Sequence, residues 1–340
     1  MQQKINKIMW ILIPLLVVFL IIIIVFDKKN KEVEYQYHMF YMDTYIYLKI
    51  YSNNNETANK IADDVKKIFE HYNDLANKYE EIDGINNLYY INYNNSKEEY
   101  ISIDEDLYKL IEYGITAYNK TNGLVDISMG NVLDIWKSYR DSGYSVPTLE
   151  ELQKANTNSI NDIILDNNKI KNNHPNIDLG AVAKGYTVEQ VKEYFKQNKI
   201  EKYILNAGGN VIVGDKIANE KYSIGIEDPD NDQTVIKVIY GNNIAVVTSG
   251  GYQRFYEWQG KKYSHIIDPN TLYPTNYMKS VTVILSDSAL GDVLSTMLFL
   301  MPVEDGVNYI NSLDGVEAIW YTNDNQIITS NGIKKYEQKW

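Results

Sequence analysis

Between residues 57 and 79 apolar side chains return every three or four positions. Ile61, Val65, Ile68, Phe69, Tyr72 and Leu75 therefore share one face of a helix. A second face, built from Leu107, Leu110, Ile111, Ile115 and Tyr118, predicts another helix that stops before Gly123. Ahead of the first helix, YQYHMFYMDTYIYLKIY (residues 35–51) is rich in β-formers and partly alternating, and it predicts a strand. A polar stretch around residues 83–84 leads into NNLYYINYN, and residues 124–136 (LVDISMGNVLDIW) start a further apolar element. The more polar stretch 137–171 predicts a small helix at Leu149–Ala155. Next, NIDLGAVAKGYTVEQVKEYFKQN reads as a strand, a small-residue turn and a helix, and KYILNAGGNVIVGD as two strands joined at Gly208 and Gly209. KYSIGIED, TVIKVIY, IAVVTS, RFYEW and KKYSHII add strands linked by short turns. SALGDVLSTMLFLM adds a helix, and VEAIWYTNDNQIITSNG a closing hairpin. Strands joined by hairpins, with helices between groups, predict an α+β fold rather than a doubly wound parallel sheet.

One stretch breaks the amphipathic pattern. IMWILIPLLVVFLIIIIVF, residues 8–26, carries no charge and is long enough, at ~19 residues, to cross a bilayer as a helix. No small-x-small cleavage site follows before DKKNK, so the expectation is an uncleaved transmembrane signal anchor. Residues 1–7 are then a short tail, 27–34 a charged linker and 35–340 the folded domain. Lys4 and Lys7 on one flank balance Lys28, Lys29 and Lys31 on the other, so charge counting leaves the orientation open.

Composition narrows the chemistry. A net charge of −12 excludes a nucleic-acid surface, which needs a basic face. Any anionic ligand has to be held locally, by backbone N–H groups, a metal or a single cation. The absence of cysteine excludes disulfides, thiolate chemistry, cysteine-based zinc sites and a lipid-modified N-terminal cysteine. The abundance of Asn, Ile, Lys and Tyr reads as codon bias rather than local function.

Several short constellations carry candidate chemistry. On the GDVLSTM helix, Asp292 and Thr296 lie one turn apart with Ser295 adjacent, while Leu290, Val293, Leu294, Met297 and Leu298 form the apolar face. A carboxylate plus a hydroxyl suits a hard cation, although an acid near a helix start is far commoner without one. DLGAVAKGY opens the backbone to a ligand where a helix begins, and Lys184 adds a point charge. Its spacing is not that of a Walker A loop, and a tight packing turn explains it equally well. NAGGN and TSGGYQR place glycine pairs at strand ends, as ordinary hairpins do. His265 is one of four histidines and has no serine or cysteine nucleophile motif beside it. A packed imidazole and a working base both stay open.

Taken in order, TNGLVDIS, NIDLGAVAKGY, ILNAGGNVIVGD, VVTSGGYQR, HIIDPNTLYP and GDVLSTMLFL resemble the FAD:protein FMN transferases, the ApbE flavin transferases. The resemblance covers most of the chain after the apolar stretch. It implies one α+β domain with a T-fold-like core of mostly antiparallel strands and packed helices, here preceded by the transmembrane helix. It also implies an enzyme that takes FAD and a divalent metal, usually Mg²⁺. Such an enzyme joins FMN through a phosphoester to a Thr or Ser of an acceptor protein and releases AMP. Residue by residue, the resemblance places Met42, Tyr79, Leu124, Val125, Asp126, Asp178, Lys184 and Ile266 around FAD. It places the metal on the Ala181 carbonyl, Asp292 and Thr296, with Ser295 a weaker ligand, and it makes His265 the general base. The implied partners are FAD and a flavin-accepting protein of a membrane redox system, with the catalytic domain anchored outside the cytoplasm.

Three positions depart from the family pattern. Leu272 stands where DP-x-T-G-x-P has Gly after the Thr, Asp43 where M-G-T has Gly, and Gly251 where T-S-G-D-Y has an acid. The first two bear on loop shape and partner fit more than on chemistry. Two other functions share the same motifs. One is an FAD pyrophosphatase, in which water replaces the acceptor hydroxyl. The other is a surface protein that stores FAD without turnover and has no need of a base at His265.

Overall fold

A computed structural model of the chain describes residues 32–94, 99–157, 159–173, 176–216, 220–252 and 254–338. The anchor expected at residues 8–26 lies outside them, and among the described residues no helix is long and apolar enough to cross a membrane.

The alternation of residues 35–51 breaks at Met42 and Asp43, so this stretch folds as a hairpin rather than as the single strand expected. Strands β1 (Val33–Tyr41) and β2 (Thr44–Ser52) pair antiparallel, with Tyr41 opposite Thr44. Both turn residues adopt left-handed backbones, φ 53° and 52°. A tight two-residue hairpin demands this conformation, and residues with a Cβ resist it. No glycine marks the turn, which hides it from a sequence reading.

Helix α1 (Asn55–Leu75) opens on Asn54, whose side chain accepts from the Thr57 N–H, and it buries Ile61, Val65, Phe69, Tyr72 and Leu75. It stops short of Tyr79 because the Asn77 side chain accepts from the N–H groups of Tyr79 and Glu80 and turns the chain. Then come α2 (Leu88–Tyr93), β3 (Ile101–Ser102), α3 (Glu105–Lys120), α4 (Gly130–Ser142) and α5 (Leu149–Ala155). The last has the expected bounds, fixed by a capping box between Thr148 and Glu151. Strands β4 (Ile163–Asp166) and β5 (Lys169–Asn172) form a hairpin that the polar pattern does not announce.

The strand expected at residues 176–179 does not form. Its N–H groups are taken elsewhere: Ile177 donates to the Asn92 side chain at 2.9 Å and Asp178 to the Ile127 carbonyl at 2.8 Å. Helix α6 (Ala183–Gln197) follows, then β6 (Tyr203–Ala207) and β7 (Asn210–Val213), joined at Gly208 and Gly209 as expected. The remaining strands are β8 (Tyr222–Asp228), β9 (Asn231–Gly241), β10 (Ile244–Gly250), β11 (Phe255–Trp258), β12 (Lys261–Ser264) and β13 (Ser280–Leu285). Strand β12 ends before His265, three residues short of the expected KKYSHII run. Helix α7 (Ser288–Phe299) leads to an unannounced α8 (Val303–Asn311), then β14 (Glu317–Tyr321) and β15 (Ile327–Thr329).

Every described strand pair is antiparallel, as the α+β expectation requires. The main sheet has eight strands in the order β1-β2-β6-β7-β10-β13-β14-β15. Helices α1, α6 and α7 cover one face, where Leu48, Val65, Val188, Val247 and Leu298 belong to one continuous core. The β8–β9 hairpin covers the other face through Ile224, Ile226 and Ile239. A separate apolar cluster of Met129, Val132, Trp136, Tyr256, Ile267 and Leu272 joins α4 to the β11–β12 hairpin. A cleft opens between this lobe, the start of α6 and the middle of α7.

Candidate active site

The base of the cleft is set by the way two helices meet. Val182, the N-cap of α6, makes no side-chain cap, which leaves N–H groups of the first turn without an intrahelical partner. Asp292, from the middle of α7, supplies the missing acceptor: its Oδ2 takes the Gly185 N–H at 2.7 Å. The two helices come this close only because residue 185 has no side chain. A Cβ there would stand 2.4 Å from that of Asp292. The sequence reading of an open helix start able to hold phosphate is thus modified, because one of its N–H groups is already taken.

Asp292 is buried, and that burial pushes its carboxyl up against the opposing pulls of Lys184 and the Gly185 N–H. Its second oxygen, Oδ1, faces the Lys184 ammonium at 4.0 Å. Lys184 itself donates to the Gly208 carbonyl at 3.1 Å, which ties α6 to the β6–β7 turn. That turn packs on Thr44, whose Oγ1 would lie 2.2 Å from a Cβ at residue 208. Ala181, Asp292 and Thr296 all line the cleft. Carbonyl, carboxylate and hydroxyl make an all-oxygen donor set that fits a hard divalent cation such as Mg²⁺. Ser295 does not join them. Its hydroxyl is fully buried, accepts from Ser249 at 2.9 Å and donates to the Asp292 carbonyl at 3.2 Å, so it braces the helix instead.

His265 lies across the cleft. Its backbone N–H and its Nδ1 both reach the Arg254 carbonyl, at 3.0 and 3.1 Å. A carbonyl only accepts, so Nδ1 carries the proton and Nε2 keeps the lone pair. Enclosure by the cleft walls pushes the imidazole down to about 4, helped by the charges of Arg254, Lys184 and Arg140 and opposed by the Arg254 carbonyl. The residue as a whole is solvent-exposed, so cleft water screens part of this shift. The direction is what matters: the ring is neutral at pH 7.

The cleft, of about 450 Å³, is lined by every residue predicted for the site except Ser295. Met42 enters from the β1–β2 turn, where its N–H donates to the Asn73 side chain at 3.0 Å. Leu124, Val125 and Asp126 follow α3, and Val125 is fixed by its N–H to the Thr121 hydroxyl at 3.0 Å. The Asp126 carboxylate is occupied by the N–H and hydroxyl of Ser128, at 2.8 and 2.7 Å. Tyr79 stays over half exposed at the rim, with Lys78 and Lys137 at 5.5 and 5.7 Å from its ring. Ile266 is buried beside His265.

Sequence reasoning missed several residues of the cleft, among them Asn73, Lys78, Trp136, Arg140 and Arg254. Lys78 is buried and bridges Asp134 at 2.8 Å and Asp178 at 3.0 Å. One signal for the arginines was available. The chain has only two, Arg140 and Arg254, among 33 basic residues, and both line this cleft. Where codon bias favours lysine, a retained guanidinium marks a need for its fixed planar donors. Arg254 shows such a use, because its Nη2 donates to the Asp43 carbonyl at 2.6 Å and holds the left-handed turn. The two unexpected non-glycines fall into place here as well. Asp43 and Leu272 have φ 52° and 63°, so this chain keeps the backbone that the family's glycines would adopt freely. Leu272 is also buried, and its carbonyl accepts from the Trp136 indole at 2.9 Å.

Comparison with known proteins agrees with this geometry. The model of the ApbE family matches residues 42–320. The FAD:protein FMN transferase of Klebsiella pneumoniae is 30% identical over 307 residues, which is 87% of this chain and 92% of that protein. Its Haemophilus influenzae counterpart is 27% identical over 325 residues, 92% of this chain and 91% of that one. The solved ApbE protein of Thermotoga maritima superposes with a TM-score of 0.81 at 27% identity, covering 90% of this chain and 100% of its own. With a family model spanning most of its length and relatives matched nearly end to end, this chain belongs to the ApbE family.

Proposed function

We propose that this chain transfers the FMN half of FAD to a Thr or Ser hydroxyl of an acceptor protein and releases AMP. The observation that carries this reading is the pairing, in one cleft, of a neutral imidazole of fixed tautomer with an all-oxygen donor set. Relatives over nearly the full length bear the name FAD:protein FMN transferase, which supports the same reaction.

The chemistry then runs through this chain's own residues. His265 Nε2 accepts the proton of the acceptor hydroxyl as that oxygen bonds to the phosphorus of the FMN phosphate. The bond from that phosphorus to the bridging oxygen breaks, and AMP leaves with it. Arg254 keeps Nε2 aimed through its carbonyl, while Lys184 and the two arginines offset charge on the diphosphate. Ala181, Asp292 and Thr296 are the residues that would hold a divalent ion, which when bound neutralises the diphosphate and stabilises the leaving group.

The apolar stretch at residues 8–26 supports a single-pass anchor in the cell membrane. On the strength of the family resemblance, since flanking charge leaves the side open, the catalytic domain is taken to stand outside the cytoplasm, within reach of a flavin-accepting protein of a membrane redox system. Replacing His265 with Ala tests the reading. The variant is expected to keep FAD binding and to lose transfer by ~10²–10⁴-fold, the usual worth of a general base. Transfer at the wild-type rate would remove His265 from the mechanism.

A further inference from the structure

Lys78 is a buried cation with no part in the chemistry above. Its side chain is only 6% exposed, and its ammonium meets Asp134 Oδ1 at 2.8 Å and Asp178 Oδ2 at 3.0 Å. Each carboxylate serves a second partner. Asp178 Oδ1 accepts from the Gly180 N–H at 2.8 Å, and Asp134 Oδ2 accepts from the Asn176 side chain at 2.6 Å. One ammonium thereby joins three remote segments: the turn after α1 that carries Tyr79, helix α4, and the 176–181 loop that presents the Ala181 carbonyl.

Resting on the flavin-transferase reading, we propose that Lys78 is a positioning residue for FAD: it holds Asp178 and the 178–181 loop in place and cancels carboxylate charge beside the cleft. The electrostatic reason is direct. A diphosphate entering the cleft approaches Asp178 and Asp292, both lining it. Without Lys78, Asp178 would face that anion with no ammonium against it, and a carboxylate left unpaired at low exposure is costly. The other cleft lysine near the metal candidates, Lys184, bonds the Gly208 carbonyl and faces Asp292 at 4.0 Å. Lys78 touches no reacting atom in this assignment. It acts through Asp178 and through charge.

The test is FAD affinity, measured by quenching of flavin fluorescence on the full chain in detergent, for wild type, Lys78→Met, Asp134→Asn and Lys78→Met/Asp134→Asn. Lys78→Met is expected to weaken FAD binding by ~10-fold or more, as leaving a buried charge unpaired does. Two readouts separate this from a loose fold. The loss is expected to shrink as ionic strength rises, because repulsion between carboxylate and diphosphate is screened. It is also expected to shrink in the double variant, which carries one orphaned carboxylate fewer. A folded Lys78→Met protein that binds FAD as wild type does would overturn the proposal, and so would a loss indifferent to both salt and Asp134→Asn. Should Lys78→Met not fold, the double variant is compared with Asp134→Asn alone. Weaker, salt-sensitive binding supports the role of Lys78, and equal binding overturns it. Wild-type protein that binds no FAD removes the transferase reading, and the proposal with it.

Discussion

At His265 two hydrogen bonds to a single carbonyl decide which nitrogen can act. Nδ1 is spent on Arg254, so only Nε2 can take a proton. Enclosure lowers the imidazole from 6.5 to about 4, so the base stays unprotonated well below neutral pH. The sign follows directly: activity is expected to persist as pH falls through 6.5 and to fail only as the ring protonates nearer the lowered value. A pH–rate profile with its acid limb at or above 6.5 would contradict this. The same depression makes the unfolded chain the better proton acceptor between these values, so His265 contributes stability above pH 6.5 that is lost as pH falls. The two left-handed non-glycines give opposite expectations. Asp43→Gly removes about 1 kcal/mol of backbone strain and only an exposed side chain, so the midpoint of chemical denaturation is expected to rise. Leu272→Gly relieves similar strain but exposes a cavity among Met129, Trp136 and Ile267, a loss of roughly 2–3 kcal/mol, so its midpoint is expected to fall. The sequence marked both positions as unusual through the family pattern. It did not show that both backbones are left-handed, because neither position carries the glycine that would announce it.

Among the elements, the join of α6 to α7 matters most. The capless start of α6 borrows Asp292 as its acceptor, and Gly185 lets the two helices close. Gly185→Ala is expected to push Asp292 from its place, lowering stability by about 1–3 kcal/mol as overpacking does. Transferase activity should fall further than that loss alone explains, seen as a reduced rate at a temperature where circular dichroism shows the variant fully folded. Full activity in a stable variant would mean that the helix contact does not position the carboxylate. Amphipathic helices were the most legible elements, since period-3.6 burial appears directly in α1 and α3. Hairpins with Gly–Gly turns were legible too. Hairpins turning on Met42–Asp43 or on the Asn167 and Asn168 pair were not, and neither was α8, which is short and starts after Pro302.

Across the whole molecule, the site gathers residues from Met42 to Thr296 onto one cleft. Motifs in order along the chain identified most of them, because the turn after β1, the segment after α3, the start of α6, the segment after β12 and the middle of α7 all border the cleft. What stayed hidden were contacts between motifs. The Lys78 bridge to Asp178, the Arg254 brace on Asp43 and the Trp136 bond to Leu272 each join segments far apart in sequence. No periodicity encodes such pairs, since they arise only when segments distant in the chain pack together. The central claim concerns where the flavin goes. The full chain in detergent is incubated with FAD, Mg²⁺ and an acceptor domain bearing an accessible Thr, and the products are run on a denaturing gel. The expected result is flavin fluorescence that stays with the acceptor, AMP released in equal amount, and neither seen with Asp292→Ala. Release of free FMN and AMP with every acceptor dark, or FAD bound without any turnover, would contradict it.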